Sequence, residues 1–90
     1  MPSYLVETYL ARGSAGERTA REQRARSAAE ELTQGGTCVS FAGVIHVPED
    51  EICFFVFGAP SSHVAALAAQ LAALDPYRVV EAVTSGEEHQ

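Results

Sequence analysis

The sequence predicts a single α+β domain, residues 1–90, in which strands and helices follow the order βαββαβ. Two observations predict this class. Four segments have the two-residue alternation or the continuous apolar run of a strand, and two segments have the helical arrangement of apolar residues. With 90 residues, 47% of them hydrophobic and 20% charged, the chain has the length and composition of one globular domain.

The elements follow one another with short connections. They are strand one at Tyr4 to Leu10, helix one from Ser14 to about Leu32, strand two at Thr37 to Val47, strand three at Glu51 to Ala59, helix two between Pro60-Ser61-Ser62 and Asp75-Pro76, and strand four at Arg78 to Val83. The last residues, Thr84 to Gln90, form a polar, acidic tail that we expect to fray.

Strand one and helix one are predicted from alternation and from helix-end signals. Glu7 lies on the opposite face of the strand from Val6, because successive side chains alternate. Ser14 and Glu17 have the spacing of a capping box, and Gly35-Gly36 is a helix stop. The helix has an inner stripe of Ala25, Ala28, Ala29 and Leu32, and an outer face of Arg18, Arg21, Arg24, Glu22 and Glu30. We expect that outer face to be solvated and to carry helix-spaced ion pairs.

Strands two and three are predicted to form a hairpin closed by Pro48-Glu49-Asp50. A two-residue and a four-residue turn give the same register, with His46 opposite Cys53 and Val44 opposite Phe55. Side chains that lie opposite each other share a face. His46, Cys53 and Phe55 are therefore expected on one face of the sheet.

Helix two and strand four complete the domain. The apolar stripe predicted for helix two consists of Val64, Leu67, Ala68, Leu71 and Leu74. In strand four, Glu81 and Val79 lie on one face, and Val80 lies on the other. Asp75-Pro76 separates the two elements, because the residue before a proline is disfavoured in a helix.

Strand three is apolar at every position from Ile52 to Phe57. Right-handed crossovers in this element order place strands one and three at the centre of an antiparallel four-stranded sheet with two helices on one face, the ferredoxin-like plan. The second face of strand three then needs a cover. We expect a second copy to supply it, in a homodimer of the dimeric αβ-barrel type, with Phe55 and Phe57 at the contact.

Charge and cysteine content narrow the functional classes. A net charge of -6 argues against nucleic acid as a partner, because phosphate binding needs clustered positive charge. No apolar run is long enough to span a membrane, and the residues before strand one do not form a signal sequence. We therefore expect a cytoplasmic chain whose two cysteines, Cys38 and Cys53, stay reduced.

Four phrases resemble a family of small bacterial proteins. They are Tyr4-Leu5-Val6-Glu7-Thr8-Tyr9, Val47-Pro48-Glu49-Asp50-Glu51-Ile52-Cys53-Phe54, Phe57-Gly58-Ala59-Pro60-Ser61 and Arg78-Val79-Val80-Glu81-Ala82-Val83. The family is a domain of unknown function whose members are often described as nickel-binding proteins. The resemblance implies a ferredoxin-like dimer and, through some members, a divalent-metal site. Family members tend to carry a histidine inside helix two or around strand two. The histidines here are His46, His63 and His89, and the predicted register places only His46 beside the cysteine.

Four side chains are predicted to form a metal site on the sheet face away from the helices. They are Glu7, His46, Cys53 and Glu81. Imidazole and thiolate suit nickel, zinc or copper, and carboxylates complete such a coordination sphere. The alternative is structural: Cys53 is a small core residue and the glutamates pair with arginines.

The sequence thus favours a non-enzymatic binding protein for nickel or another divalent transition metal. The alternative is a cofactor-independent αβ-barrel enzyme, of the monooxygenase or isomerase type, that uses Tyr9, His46 and Glu81 around a small apolar substrate. A pure interaction module is the third possibility. No nucleophile elbow, phosphate loop or dinucleotide-binding glycine pattern is present in the sequence.

Overall fold

The computed structural model describes residues 1–83, and within them the predicted order of elements is confirmed. The elements are β1 (Ser3–Tyr9), α1 (Ala15–Gln34), β2 (Ser40–Val47), β3 (Ile52–Gly58), α2 (Ser62–Leu71) and β4 (Arg78–Ala82). The expected fraying of Thr84 to Gln90 lies outside the described residues. Helix α2 ends three residues before Leu74, the last residue of its predicted stripe.

The four strands form one antiparallel sheet in the order β2-β3-β1-β4. Strands β1 and β3 are central and strands β2 and β4 are edges, as the βαββαβ order predicts. The architecture is consistent with the ferredoxin-like fold. Neither helix in the described part of the chain has the length and apolar character needed to cross a bilayer.

The hairpin register is confirmed at the positions that matter for the site. A single 3-10 turn, Pro48–Asp50, closes the hairpin, and Glu51 follows in the left-handed region with φ 54°. His46 pairs with Cys53 and Val44 with Phe55. Further along, a β-bulge between Phe41 and Gly43 shifts the register, and Gly43 has a φ of 149° that favours glycine.

The core lies between the helices and one face of the sheet, called here the helix-side face. Phe55 and Phe57 are fully buried there, and small side chains of both helices cover them. These small residues are Ala25, Ala28 and Ala29 of α1 and Ala65, Ala68 and Ala69 of α2. Alanine lets each helix backbone approach the large rings, so Leu67 and Leu71, which were expected in the stripe of α2, turn to solvent.

The prediction of which sheet face carries the hairpin side chains is wrong. His46, Cys53 and Phe55 were expected away from the helices, and the structure places them on the helix-side face. The other face of the sheet, called here the open face, carries Phe54 instead. The reason is the pairing of β1 with β3, in which Glu7 lies opposite Phe54 rather than Cys53. A shift of one residue in that pairing moves a whole strand to the other face.

The charged side chains of α1 also differ from expectation. Ser14 makes no side-chain capping bond, and Glu17 forms an ion pair with Arg21, at 2.9 Å between carboxylate oxygen and Nε. Helix-spaced ion pairs are therefore present, as predicted. The face is only partly solvated, because the Nε of Arg24 donates to the carbonyl oxygen of Ala72 at 2.8 Å and joins α1 to the end of α2.

Candidate functional site

The structure brings together two of the four predicted ligands. His46 on β2 and Cys53 on β3 are direct cross-strand neighbours. Glu7 lies on the open face, where its carboxylate accepts from the Nε of Arg78 at 2.7 Å. Glu81 lies on the edge strand β4, opposite Tyr4.

Glu81 is also far from the histidine, although the two share the helix-side face. Three strand spacings and four residues along the strands separate it from His46, about 20 Å at the usual strand geometry. The expectation that four ligands share one face is therefore corrected. Within residues 1–83, no group of three or more His, Cys, Asp or Glu side chains is arranged to hold a metal ion.

Cys53 lies beneath the N-terminal half of α1 and is 0% exposed. On β1, its neighbour Thr8 is also buried, and the hydroxyl of Thr8 donates to the carbonyl oxygen of Cys53 at 2.9 Å. Burial raises the pKa of the Cys53 thiol, and the positive charges of Arg21 and Arg18 offset only part of this increase. The side chain is therefore a protonated thiol at neutral pH, which suits packing better than nucleophilic attack.

His46 lies at the sheet edge, half-buried under α1. Its Nδ1 is 3.5 Å from the Nη1 of Arg18, and its Nε2 is buried with no hydrogen-bond partner among the described residues. A buried polar atom without a partner costs about 1–3 kcal/mol. A buried atom of this kind calls for an explanation, and a ligand that forms a hydrogen bond with it is one explanation.

A cavity of about 320 Å³ lies between α1 and β2 at this point. Arg18, Glu22, Val44 and His46 line it, and these four residues define the His46 pocket. Glu22 also forms a long ion pair with Arg26, at 3.7 Å. Three of the four lining side chains are polar, so the pocket suits a polar ligand rather than an apolar one.

Arg18 and Glu22 are the residues of the pocket that the sequence reasoning assigned to a solvated face. Their spacing contains a signal that would have found them. Arg18 lies seven residues before Ala25, and Glu22 lies seven before Ala29, so both continue the inner stripe toward the helix N-terminus. A polar residue on the buried stripe of a helix marks a position where that helix meets something polar.

The residue set predicted for the alternative enzyme is not brought together. Tyr9 is half-exposed at the end of β1, on the open face, and its hydroxyl donates to the Glu51 carboxylate at 3.4 Å. His46 lies on the opposite face, and Glu81 lies on the far edge strand. The three side chains therefore share no cavity in which a base and an acid act on one substrate.

Comparison of the chain with protein-family models, with curated proteins and with solved structures finds no match. The resemblance to the nickel-binding family stays a prediction from the residues quoted for it.

Proposed function

We propose that this chain is a small binding protein that works as a homodimer of the dimeric αβ-barrel type. The open face of the sheet is the observation that supports this proposal. Its two central strands and their neighbours present an apolar surface that neither helix covers. The surface consists of Leu5, Ile45, Val47, Ile52, Phe54, Val56 and Val80. A contiguous apolar surface of this kind is a common mark of a protein interface.

A second copy is the cover that fits this face best. The chain carries a net charge of -6, yet the charged side chains that the described strands place on the open face are Glu7 and Arg78, which pair with each other. The Glu51 carboxylate lies at the end of this face, where it accepts from Tyr9, so the face carries little net charge and two identical faces meet with little repulsion. A two-fold contact uses the same patch on both copies, which an apolar sheet face satisfies.

The proposal is tested by placing a charge on the open face. Ile45 is 50% exposed, so Ile45→Glu should leave the monomer folded while it buries an unpaired carboxylate in the dimer. We expect the unchanged protein to sediment as a dimer at micromolar concentration and the variant to sediment as a monomer. Circular dichroism of the variant checks that it remains folded.

Leu71→Glu is the matched control. Leu71 lies on α2 and is 47% exposed, so the variant adds the same charge at nearly the same exposure outside the open face. It should remain a dimer. A monomeric unchanged protein would contradict the proposal, and so would a dimer that Leu71→Glu disrupts and Ile45→Glu does not.

The resemblance adds a ligand to this proposal, nickel or another divalent transition metal held by His46 and Cys53. An ion binds the thiolate, and the raised pKa of the Cys53 thiol works against that form. The metal stays a prediction, which nickel and zinc titrations of protein without a histidine tag test. Loss of binding in Cys53→Ser would support it. The cofactor-independent enzyme also stays a prediction, and a small apolar molecule that copurifies with the dimer would support it.

A further inference from the structure

The contact between Arg18 and His46 favours one tautomer of the histidine ring. A guanidinium only donates hydrogen bonds, so a bond across the 3.5 Å between its Nη1 and the Nδ1 of His46 needs Nδ1 as the acceptor. The neutral tautomer that the contact favours carries its proton on Nε2. This N–H group is buried and has no acceptor among the described residues.

Arg18 contributes a positive charge that is not in an ion pair among the described residues. The described residues form three ion pairs, and they involve Arg21, Arg26 and Arg78. Arg18 is half-buried, and none of the carboxylates in residues 1–83 lies within ion-pair distance of it. Its positive charge therefore lines the His46 pocket without an ion pair, and the one carboxylate of the pocket lining, that of Glu22, pairs with Arg26 instead.

We propose that the His46 pocket binds a small molecule through an oxyanion, a carboxylate or a phosphate group, held by Arg18 with His46 beside it. Guanidinium groups pair with such anions in a bidentate manner. The cavity of about 320 Å³ is at the lower end of the range for small-molecule sites. The inference deepens the proposed binding function, but the pocket lies on the helix side and does not depend on the dimer.

The same contact disfavours a metal ion in this pocket. An ion on Nε2 needs the lone pair of that nitrogen, so the proton would have to move to Nδ1. Two donors, Nδ1–H and the Arg18 guanidinium, would then face each other across 3.5 Å. Removal of the guanidinium therefore has opposite consequences for the two ligands: it weakens an oxyanion and favours a metal.

The test is a titration of the full chain with sodium acetate and, separately, with sodium phosphate, at an ionic strength held constant with sodium chloride. The ring signals of His46 in a ¹⁵N-correlated NMR spectrum report binding, and their shifts also report the tautomer. We expect the proton on Nε2 and a saturable change with at least one of the two anions. The anion that binds more tightly identifies the group as a carboxylate or a phosphate.

Three variants make the titration specific. Arg18→Gln should weaken the anion about tenfold or more, because a hydrogen bond to a charged group is lost. The anion affinity of Arg18→Lys should fall between those of the unchanged protein and Arg18→Gln, since lysine keeps the charge and loses the bidentate geometry of the guanidinium. Arg12→Gln, at an exposed arginine outside the pocket, removes the same charge and should change little.

Several outcomes would overturn the oxyanion proposal. They are a signal that does not saturate, an equal loss in Arg12→Gln and Arg18→Gln, and a proton on Nδ1 of His46. A nickel titration in which Arg18→Gln binds more tightly than the unchanged protein, with no anion binding, would identify a metal site instead. Sedimentation of the same samples measures the dimer separately, so failure of this inference and failure of the proposed homodimer are distinguishable.

Discussion

The two faces of the sheet are both apolar, but they are built differently. On the helix-side face, large rings such as those of Phe55 and Phe57 lie under alanines and are fully buried. On the open face, β-branched and aromatic side chains stand next to one another without a covering element, and Ile45 is half-exposed. The helix-side face packs against the helices of the same chain and stabilises the fold. The open face is as apolar as a core, but no element of the described residues packs against it.

This difference assigns different roles to neighbouring residues of β3. Phe54 and Phe55 are adjacent in the sequence, yet one belongs to the surface proposed for the dimer and the other to the core of the monomer. A chain this short buries a modest fraction of its surface on folding, so a second buried face adds stability that the first cannot supply. The stability cost of a substitution on the open face should therefore depend on protein concentration, whereas the cost of one on the helix-side face should not.

The largest expected effect is that of Phe55→Ala. The ring is fully buried between the sheet and the helices, so its removal leaves a cavity and should lower the free energy of unfolding by about 3–5 kcal/mol. Denaturant unfolding followed by circular dichroism measures this loss. The loss should not depend on protein concentration beyond the dependence that the unchanged protein shows.

Phe54→Ala is the matched comparison, because Phe54 is adjacent to Phe55 in the sequence but lies on the open face. At low protein concentration, where a dimer dissociates, it should cost clearly less than Phe55→Ala, because Phe54 is only partly buried in one chain. The cost should increase with protein concentration as the dimer forms. Equal costs at every concentration would mean that the open face has no partner in solution.

The next effect concerns the buried cysteine of the helix-side face. Cys53→Ser places a hydroxyl in an apolar, fully buried site and should lower the free energy of unfolding by about 1–3 kcal/mol. Cys53→Ala, which adds no polar group, should cost less if the thiol serves only to pack. A larger cost for alanine than for serine would show that the site needs a hydrogen-bonding group, and the packing role would then be wrong.

The sequence was sufficient for the hairpin register and insufficient for the faces. Pro48-Glu49-Asp50 closes the hairpin, so the pairing of His46 with Cys53 follows from local chemistry. Strands β1 and β3 are joined only through the rest of the fold, and no turn sets their register. Because β3 is apolar on both faces, its own pattern does not reveal which face meets the helices.

The candidate site was predictable only in part for the same reason. The pair of His46 and Cys53 follows from the hairpin, whereas the β1 pairing places Glu7 on the other face and the strand order places Glu81 at the far edge of the sheet. Arg18 was missed because an arginine near the start of a helix is typical of a solvated surface. Its position on the stripe of Ala25 was the available evidence, and tertiary packing gave that position its meaning.

A smaller effect should follow from the pKa of Cys53. Burial raises the pKa of the thiol in the folded chain, whereas in the unfolded chain it ionises near its ordinary pKa of 9.0. Above that pH the unfolded state binds fewer protons than the folded state, so the free energy of unfolding should fall as pH rises toward the higher folded pKa. Below it, the contribution is fully present. Unfolding of the unchanged protein and of Cys53→Ala should therefore converge above about pH 9, and a constant difference across this range would contradict the raised pKa.

The smallest effect is expected for the ion pair of the open face in a single chain. The Nε of Arg78 lies 2.7 Å from a Glu7 oxygen, but the Arg78 side chain is 67% exposed, so solvent screens the pair. In the Ile45→Glu background, a double-mutant cycle of Glu7→Gln and Arg78→Gln should give a coupling of about 0–1 kcal/mol. In the proposed dimer, the same pair would lie under the partner sheet, where loss of Arg78 alone would leave a carboxylate without its partner. The coupling should then exceed the monomer value, because a buried charge that loses its partner is strongly destabilising. Equal coupling in both backgrounds would place the dimer contact elsewhere on the chain and leave the open face in solvent.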